Sequence, residues 1–315
     1  SGCDYTADDV IAEFSSNNPE NFLFPFMEGV IANLKTLGKI RTSETYAATL
    51  CSFRRFREDK DVTLDDMDSD MMMAYEAYLK NNGVSPNSSS FYMRNLRAVY
   101  NRAVEKGLTS QRFPFKHVYT GVEKTVKRAV PLKVIKKIKE MDFSMNPSFD
   151  FARDMFLMSF YTRGMSFVDM AYLRKKDLQN GVLSYRRRKT GQQLFIKWEK
   201  CMQEIVDKYD TSQSNYLLPI IKPFGDIDER KQYIYAAHNI NRCLKIIGKE
   251  LGLSVSLTLY VARHAWASIA KSKNVPLSVI SEGMGHDSEA TTRIYLASLD
   301  TMAIDKANSM ILKSL

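Results

Sequence analysis

The sequence predicts a two-domain, mainly α-helical protein with one small antiparallel β-sheet in the C-terminal domain. Three observations predict it. At 315 residues the chain is longer than most single cores. Along most of it, apolar residues recur at helical spacing. Only the stretch DLQNGVLSYRRRKTGQQLFIKW changes to strand-like spacing, with turn signals at Asn180-Gly181 and Lys189-Thr190-Gly191.

The helices of the first domain follow from their patterns. In SETYAATLCSFRRFRE, Tyr46, Leu50, Phe53 and Phe56 share one face, with Thr42 or Ser43 as the cap. An acidic helix covers roughly residues 63 to 81. Its run DMDSDMMMAYE fails as a calcium loop, because Met71 stands where glycine is needed and Ala77 where glutamate is needed. In FYMRNLRAVYNRAVEKG, Tyr92, Leu96, Val99, Ala103 and Val104 form the apolar face and Gly107 the stop. Arg94, Arg97 and Asn101 lie opposite, and Arg54, Arg55 and Arg57 cluster at the end of their own helix. These cations read equally as solvated faces or as phosphate contacts. Periodicity lapses over residues 108–130, where Pro114 and Gly121 fall. The expected division is 1–110, a linker at 111–128, and 129–315.

The second domain opens with a basic amphipathic helix, PLKVIKKIKE, and an internal apolar one, FARDMFLMSFYT. Two hairpins follow, with strands at Val182 to Arg187 and Gln193 to Ile196. Helices then run to the C-terminus. There Met302, Ile304, Ala307, Met310 and Ile311 make a last apolar stripe, which must dock on its own domain or on a neighbouring subunit.

Composition narrows the function classes. Hydrophobic residues at 44% and charged residues at 26% are ordinary globular usage. Apolar runs are short and interrupted by charge, and the N-terminus lacks a signal pattern, so a membrane role is not expected. Cys3, Cys51, Cys201 and Cys243 lack CxxC or metal spacing, which fits a reducing compartment. Residues 1–110 carry 12 Lys and Arg against 16 Asp and Glu, and residues 111–315 carry 33 against 20. Net charge therefore passes from −4 to +13, and a polyanion is the expected partner.

Four local signals bear on chemistry. Arg163 in YTRGMSFVDM lies on a tight turn, where Gly164 ends one helix and Ser166 with Asp169 can cap the next. Lys189 is at the tip of the basic hairpin YRRRKTG. Tyr260 and Arg263, in TLYVARHAWASIA, are neighbours on one helical face, with Trp266 and Ile269 towards the core. In MGHDSEATTRIYL, His286 precedes a short helix that bears Tyr295. Each residue alone has an ordinary reading: a surface arginine, a solvated turn lysine, a packed tyrosine.

Taken in order, Arg163, Lys189, Tyr260-x-x-Arg263, His286 and Tyr295 resemble the tyrosine recombinase or phage integrase family. The specific resemblance covers residues 163–169, 185–191 and 258–296, and the architecture covers the whole chain. The departure is Tyr260, where the family pattern has histidine. His264 cannot substitute, since one residue along a helix turns a side chain by about 100°.

The resemblance implies a two-domain DNA clamp: a helical core-binding domain and a catalytic domain. It implies a site-specific recombinase, of mobile-element integrase type, working through a 3′-phosphotyrosine. Tyr295 is then the nucleophile, Arg163 and Arg263 the phosphate donors, and Lys189 the acid for the 5′-oxygen. His286 is a phosphate contact, and Tyr260 either donates a phenolic hydrogen bond or orients its neighbours. Arg54, Arg55, Arg57, Arg94, Arg97, Arg187 and Arg188 are DNA-binding candidates. No cofactor and no metal are expected; His117, His238, His264 and His286 make no ligand set. The implied partners are double-stranded DNA, three further copies in a synaptic tetramer built from free monomers, and accessory DNA-bending proteins. The implied location is the bacterial cytoplasm, at the nucleoid. Two other functions stand beside this one: type IB topoisomerase-like relaxation, and a catalytically silent DNA-binding regulator.

Overall fold

The structure, a computed structural model, describes residues 21–123, 129–222, 227–296 and 308–314, without the side chains of residues 294 and 295. It divides into two compact units, Ser1–Thr125 and Val126–Leu315.

The first unit contains α1 (Leu23–Thr36), α2 (Ile40–Phe56), α3 (Ser69–Asn81) and α4 (Pro86–Glu105). The apolar faces read from the sequence meet in one core, where Leu23, Met27, Phe53, Tyr75, Leu96 and Tyr100 are buried. Ser85 caps α4 ahead of Pro86, and Gly107, at φ 73°, ends it. Two starts differ from the sequence reading. Helix α2 begins at Ile40, so Ser43 lies inside its first turn and donates to Ile40 O at 2.7 Å instead of capping. Helix α3 begins only at Ser69, capped by Asp68, because the carboxylates upstream bond elsewhere: Asp61 accepts from the Phe24 amide of α1 and the Val62 amide, and Asp66 from the Thr63 hydroxyl. Past α4 the chain stays attached to this unit. Phe115 and Val118 are buried in its core, and Glu123 N–H reaches Asn87 Oδ1 at 2.8 Å. The start of the expected linker is thus packed structure.

The second unit contains α5 (Leu132–Glu140), α6 (Pro147–Tyr161), α7 (Phe167–Ala171), β1 (Leu178–Gln179), β2 (Val182–Arg186) and β3 (Gln193–Lys197). After the sheet come α8 (Lys200–Asp207), α9 (Glu229–Glu250), α10 (Leu259–Ser272), α11 (Leu277–Gly283) and α12 (Glu289–Leu296). Helix α6 is central, with α5, α8, α9 and α10 packed against it. Its one buried carboxylate, Asp154, is neutralised in place by Arg153 and Lys208 and accepts from the Tyr209 hydroxyl. The sheet is antiparallel in the order β1-β2-β3. Asn180 and Gly181, both at positive φ, form the first turn, and Leu183, Tyr185, Leu194 and Ile196 face the core.

Of the expected C-terminal stripe, Met302, Ile304 and Ala307 lie outside the described residues; Met310 and Ile311 are exposed. No helix among the described residues is long and apolar enough to cross a membrane.

Candidate active site

The site is assembled from turns at helix ends. Helix α6 stops at Tyr161, and the next two residues after its cap, Arg163 (φ 61°) and Gly164 (φ 74°), both take the left-handed conformation. Only glycine fits at 164. A Cβ there would lie 2.7 Å from the Arg263 Cα, so the bare backbone lets α10 approach the turn. Arg163 occupies a strained conformation for a non-glycine residue, costing on the order of 1 kcal/mol. Its side chain is half-buried, with the stem near Gly283.

Arg263 is buried on α10 and joins three segments. Its Nη1 donates to Gly164 O at 2.6 Å, and its Nη2 donates to Met284 O at 2.7 Å and lies 3.0 Å from His286 Nε2. A guanidinium can only donate, so Nε2 accepts and the imidazole is neutral. Its Nδ1–H then donates to Thr292 Oγ1, 2.8 Å away. Thr292 is fully buried on α12, three residues before Tyr295. A chain of contacts therefore runs from the Arg163-Gly164 turn through Arg263 and His286 to the helix that carries Tyr295. The Tyr295 side chain itself lies outside the described residues.

Burial lowers the His286 pKa to about 4, helped by the positive charges of Arg263, Arg187 and Lys189 and opposed by Asp287. Arg163, Arg187 and Arg263 also all act on the buried Tyr185 phenol, whose pKa burial pushes up. The cationic side chains thus converge around one region. A cavity of about 510 Å³ is lined there by Lys189, Tyr260, Arg263, His286 and Asp287, among others. Arg163 is not part of that lining. Tyr260 is 59% exposed and meets the edge of His264 at 4.5 Å between ring centroids, whereas His264 is buried and does not line the cavity.

Three supporting residues escape a sequence reading of function. Thr292 is one. Asp169, read only as a cap partner, accepts from the Ser166 hydroxyl at 2.6 Å and from Arg188 N–H at 2.9 Å, tying the hairpin tip to α7. Arg187, grouped above with DNA contacts, is buried and donates to Gly285 O. The signal for that was present: strand alternation continues past β2, so Tyr185 and Arg187 point inward while Arg186 and Arg188 are exposed. Arg188 is stacked 4.0 Å above the Tyr172 ring. In the first unit, Arg94 and Arg97 are exposed, Arg55 donates to Cys51 O, and Arg57 is half-buried. Arg54 is paired with Glu28 at 2.6 Å and lies over Phe24.

A helical unit followed by a helical unit with a three-stranded sheet, carrying arginine, lysine, arginine, histidine and tyrosine in that order, defines a tyrosine recombinase. The chain belongs to the phage integrase family: residues 132–302 match that family, and residues 22–118 match the phage integrase SAM-like domain. No curated protein sequence matches it. Among solved structures it is similar to a lambda integrase dimer bound to a COC′ core site, with TM-score 0.69, 16% identity, and coverage of 92% of this chain and 81% of that one. It is also similar to the XerH site-specific recombinase bound to palindromic difH, with TM-score 0.65, 17% identity, and coverage of 90% and 83%. A third is the Tn1549 transposon integrase in complex with a circular intermediate DNA, with TM-score 0.60, 15% identity, and coverage of 86% and 94%.

Proposed function

We propose that this protein is a site-specific DNA recombinase that moves a mobile element by cutting and rejoining strands through a 3′-phosphotyrosine. The observation that carries the reading is the contact chain from Arg263 through His286 to Thr292, which links a cation-lined cavity to the helix of Tyr295. A phosphodiester in that cavity is attacked by the Tyr295 phenolate. The phosphorus–O5′ bond breaks, Lys189 gives the departing oxygen its proton, and the aryl phosphodiester keeps the bond energy for rejoining. Arg163 and Arg263 hold the non-bridging oxygens, where charge grows in the transition state. Tyr260, on the open side, offers a phenolic hydroxyl. The first unit completes a clamp on the duplex, and four protomers act together on two duplexes at the nucleoid.

The reading is supported by solved complexes of proteins similar to this chain in fold: a lambda integrase dimer on a core site, a lambda integrase tetramer on a Holliday junction, and a transposon integrase on a circular intermediate DNA. The test is incubation with nicked suicide duplexes drawn from candidate element ends. A covalent, SDS-resistant adduct should form with the native protein and vanish with Tyr295→Phe, while DNA binding persists. An adduct that survives Tyr295→Phe would overturn the assignment. Relaxation of any supercoiled plasmid, without site dependence, would favour a topoisomerase instead.

A further inference from the structure

We propose that the loop after α4 holds a DNA-contact site in which the Phe113 ring packs on a sugar or base edge, and Arg97 and Lys116 hold the adjoining phosphate. This rests on the DNA-binding reading above and locates one contact within the first unit.

Phe113 is anomalous twice over. The residue is 66% exposed, and its backbone lies at φ 53°, a conformation that suits asparagine or glycine but not a bulky aromatic. It also precedes Pro114, which favours an extended predecessor. The conformation is built and held. Gln111 Oε1 accepts from Phe113 N–H at 3.0 Å, and Phe113 O accepts from Lys116 N–H at 3.1 Å. Gln111 is itself bonded to Asn101, and Arg112 N–H reaches the Tyr100 hydroxyl, so the loop is strapped to α4. Strain that the surroundings maintain, on a ring turned outward, points to use of that ring in a bound state.

The surroundings select the partner. Phe113 lines a cavity of about 530 Å³ together with Arg97, Asn101 and Lys116, and among the described residues no carboxylate lines it. An apolar protein surface would cover the ring and leave both cations without countercharge. DNA supplies a phosphate for the cations and a flat sugar or base edge for the ring.

The experiment measures binding of the full chain to a short fluorescent duplex of arbitrary sequence across a salt series, with thermal unfolding of each variant. Phe113→Asn should bind about tenfold more weakly, as expected for a lost aromatic contact to a nucleotide. Its salt dependence should be unchanged, because no cation is lost, and its unfolding midpoint should hold or rise, because asparagine accepts the backbone. Phe113→Tyr should restore affinity. Arg97→Ala should instead reduce the salt slope by about one. Native affinity in Phe113→Asn overturns the site. So does a fall in its unfolding midpoint, which would make Phe113 a folding residue. If Arg97→Ala still lowers the slope in either case, the DNA reading of the unit survives; if neither variant affects binding, that reading fails too.

Discussion

Arg263 has a structural duty beside the chemical one proposed for it, and the two separate by substitution. Arg263→Ala should lower cleavage by about two orders of magnitude, as for one lost transition-state donor. It should also destabilise the fold by about 1 to 3 kcal/mol, because Gly164 O and Met284 O lose their donor. Suicide-substrate cleavage and chemical denaturation read the two effects. His286 adds a pH dependence. Its folded pKa of about 4 is below the ordinary 6.5, so between those values the unfolded chain binds more protons than the folded one. The stability it contributes is complete above about pH 6.5 and is lost as the pH falls towards 4. Denaturation midpoints across that window should flatten in His286→Gln; an unchanged slope would remove His286 as the cause. Burial is the larger cause of this depressed pKa and the neighbouring cations the smaller one, and a bound phosphodiester offsets the cations. The His286 proton resonances should therefore titrate at higher pH in the DNA complex than in the free protein.

At the scale of elements, the hairpin tip is tied at the two residues that precede its turn. Arg187 reaches Gly285 O, Asp169 accepts from Arg188 N–H, and Arg188 stacks on Tyr172. These ties fix the base of the loop from which exposed Lys189 enters the cavity. Lys189→Ala should cut ordinary DNA at least a hundredfold more slowly yet cut a duplex with a 5′-thiolate leaving group near the native rate, since a thiolate needs no proton. Equal loss on both substrates would count against Lys189 as the acid. Gly285→Ala tests the same junction from the other side. A Cβ there, at φ 65°, would lie 2.9 Å from Leu194 and 3.2 Å from the Arg187 Cδ, and a clear drop in thermal midpoint is expected.

For the whole molecule, each unit has its own core, so the connection between them governs binding more than folding. The two units tethered together should bind a duplex far more tightly than either alone, through effective concentration and not through new contacts. Titrations of the pieces 21–123 and 129–315 against the full chain would measure this; equal affinity of one piece and the whole would discard the clamp. Binding should weaken steeply with salt as phosphate counterions are released. Limited proteolysis should first cut between residues 123 and 131, beyond the last bond of Glu123 to the first unit and before α5, and more slowly with DNA present. First cutting within α2 to α4 would refute that boundary.

The sequence by itself determined the helical class, the small hairpin sheet and its turns, the apolar faces, and the order of Arg163, Lys189, Arg263, His286 and Tyr295 that marks the family. These are legible because periodicity, capping and turn chemistry are local, and because a family pattern is written in chain order. Only the tertiary structure decided that Arg187 is a buried brace, that Asp169 holds the hairpin, that Thr292 orients a neutral His286, and that Phe115 and Val118 belong to the first core. Each depends on groups brought together from distant segments: Arg187 and Gly285 are 98 residues apart, and Arg263 and Gly164 are 99 apart. A side chain's neighbours across such gaps are set by how the helices and the sheet pack, which no local spacing records.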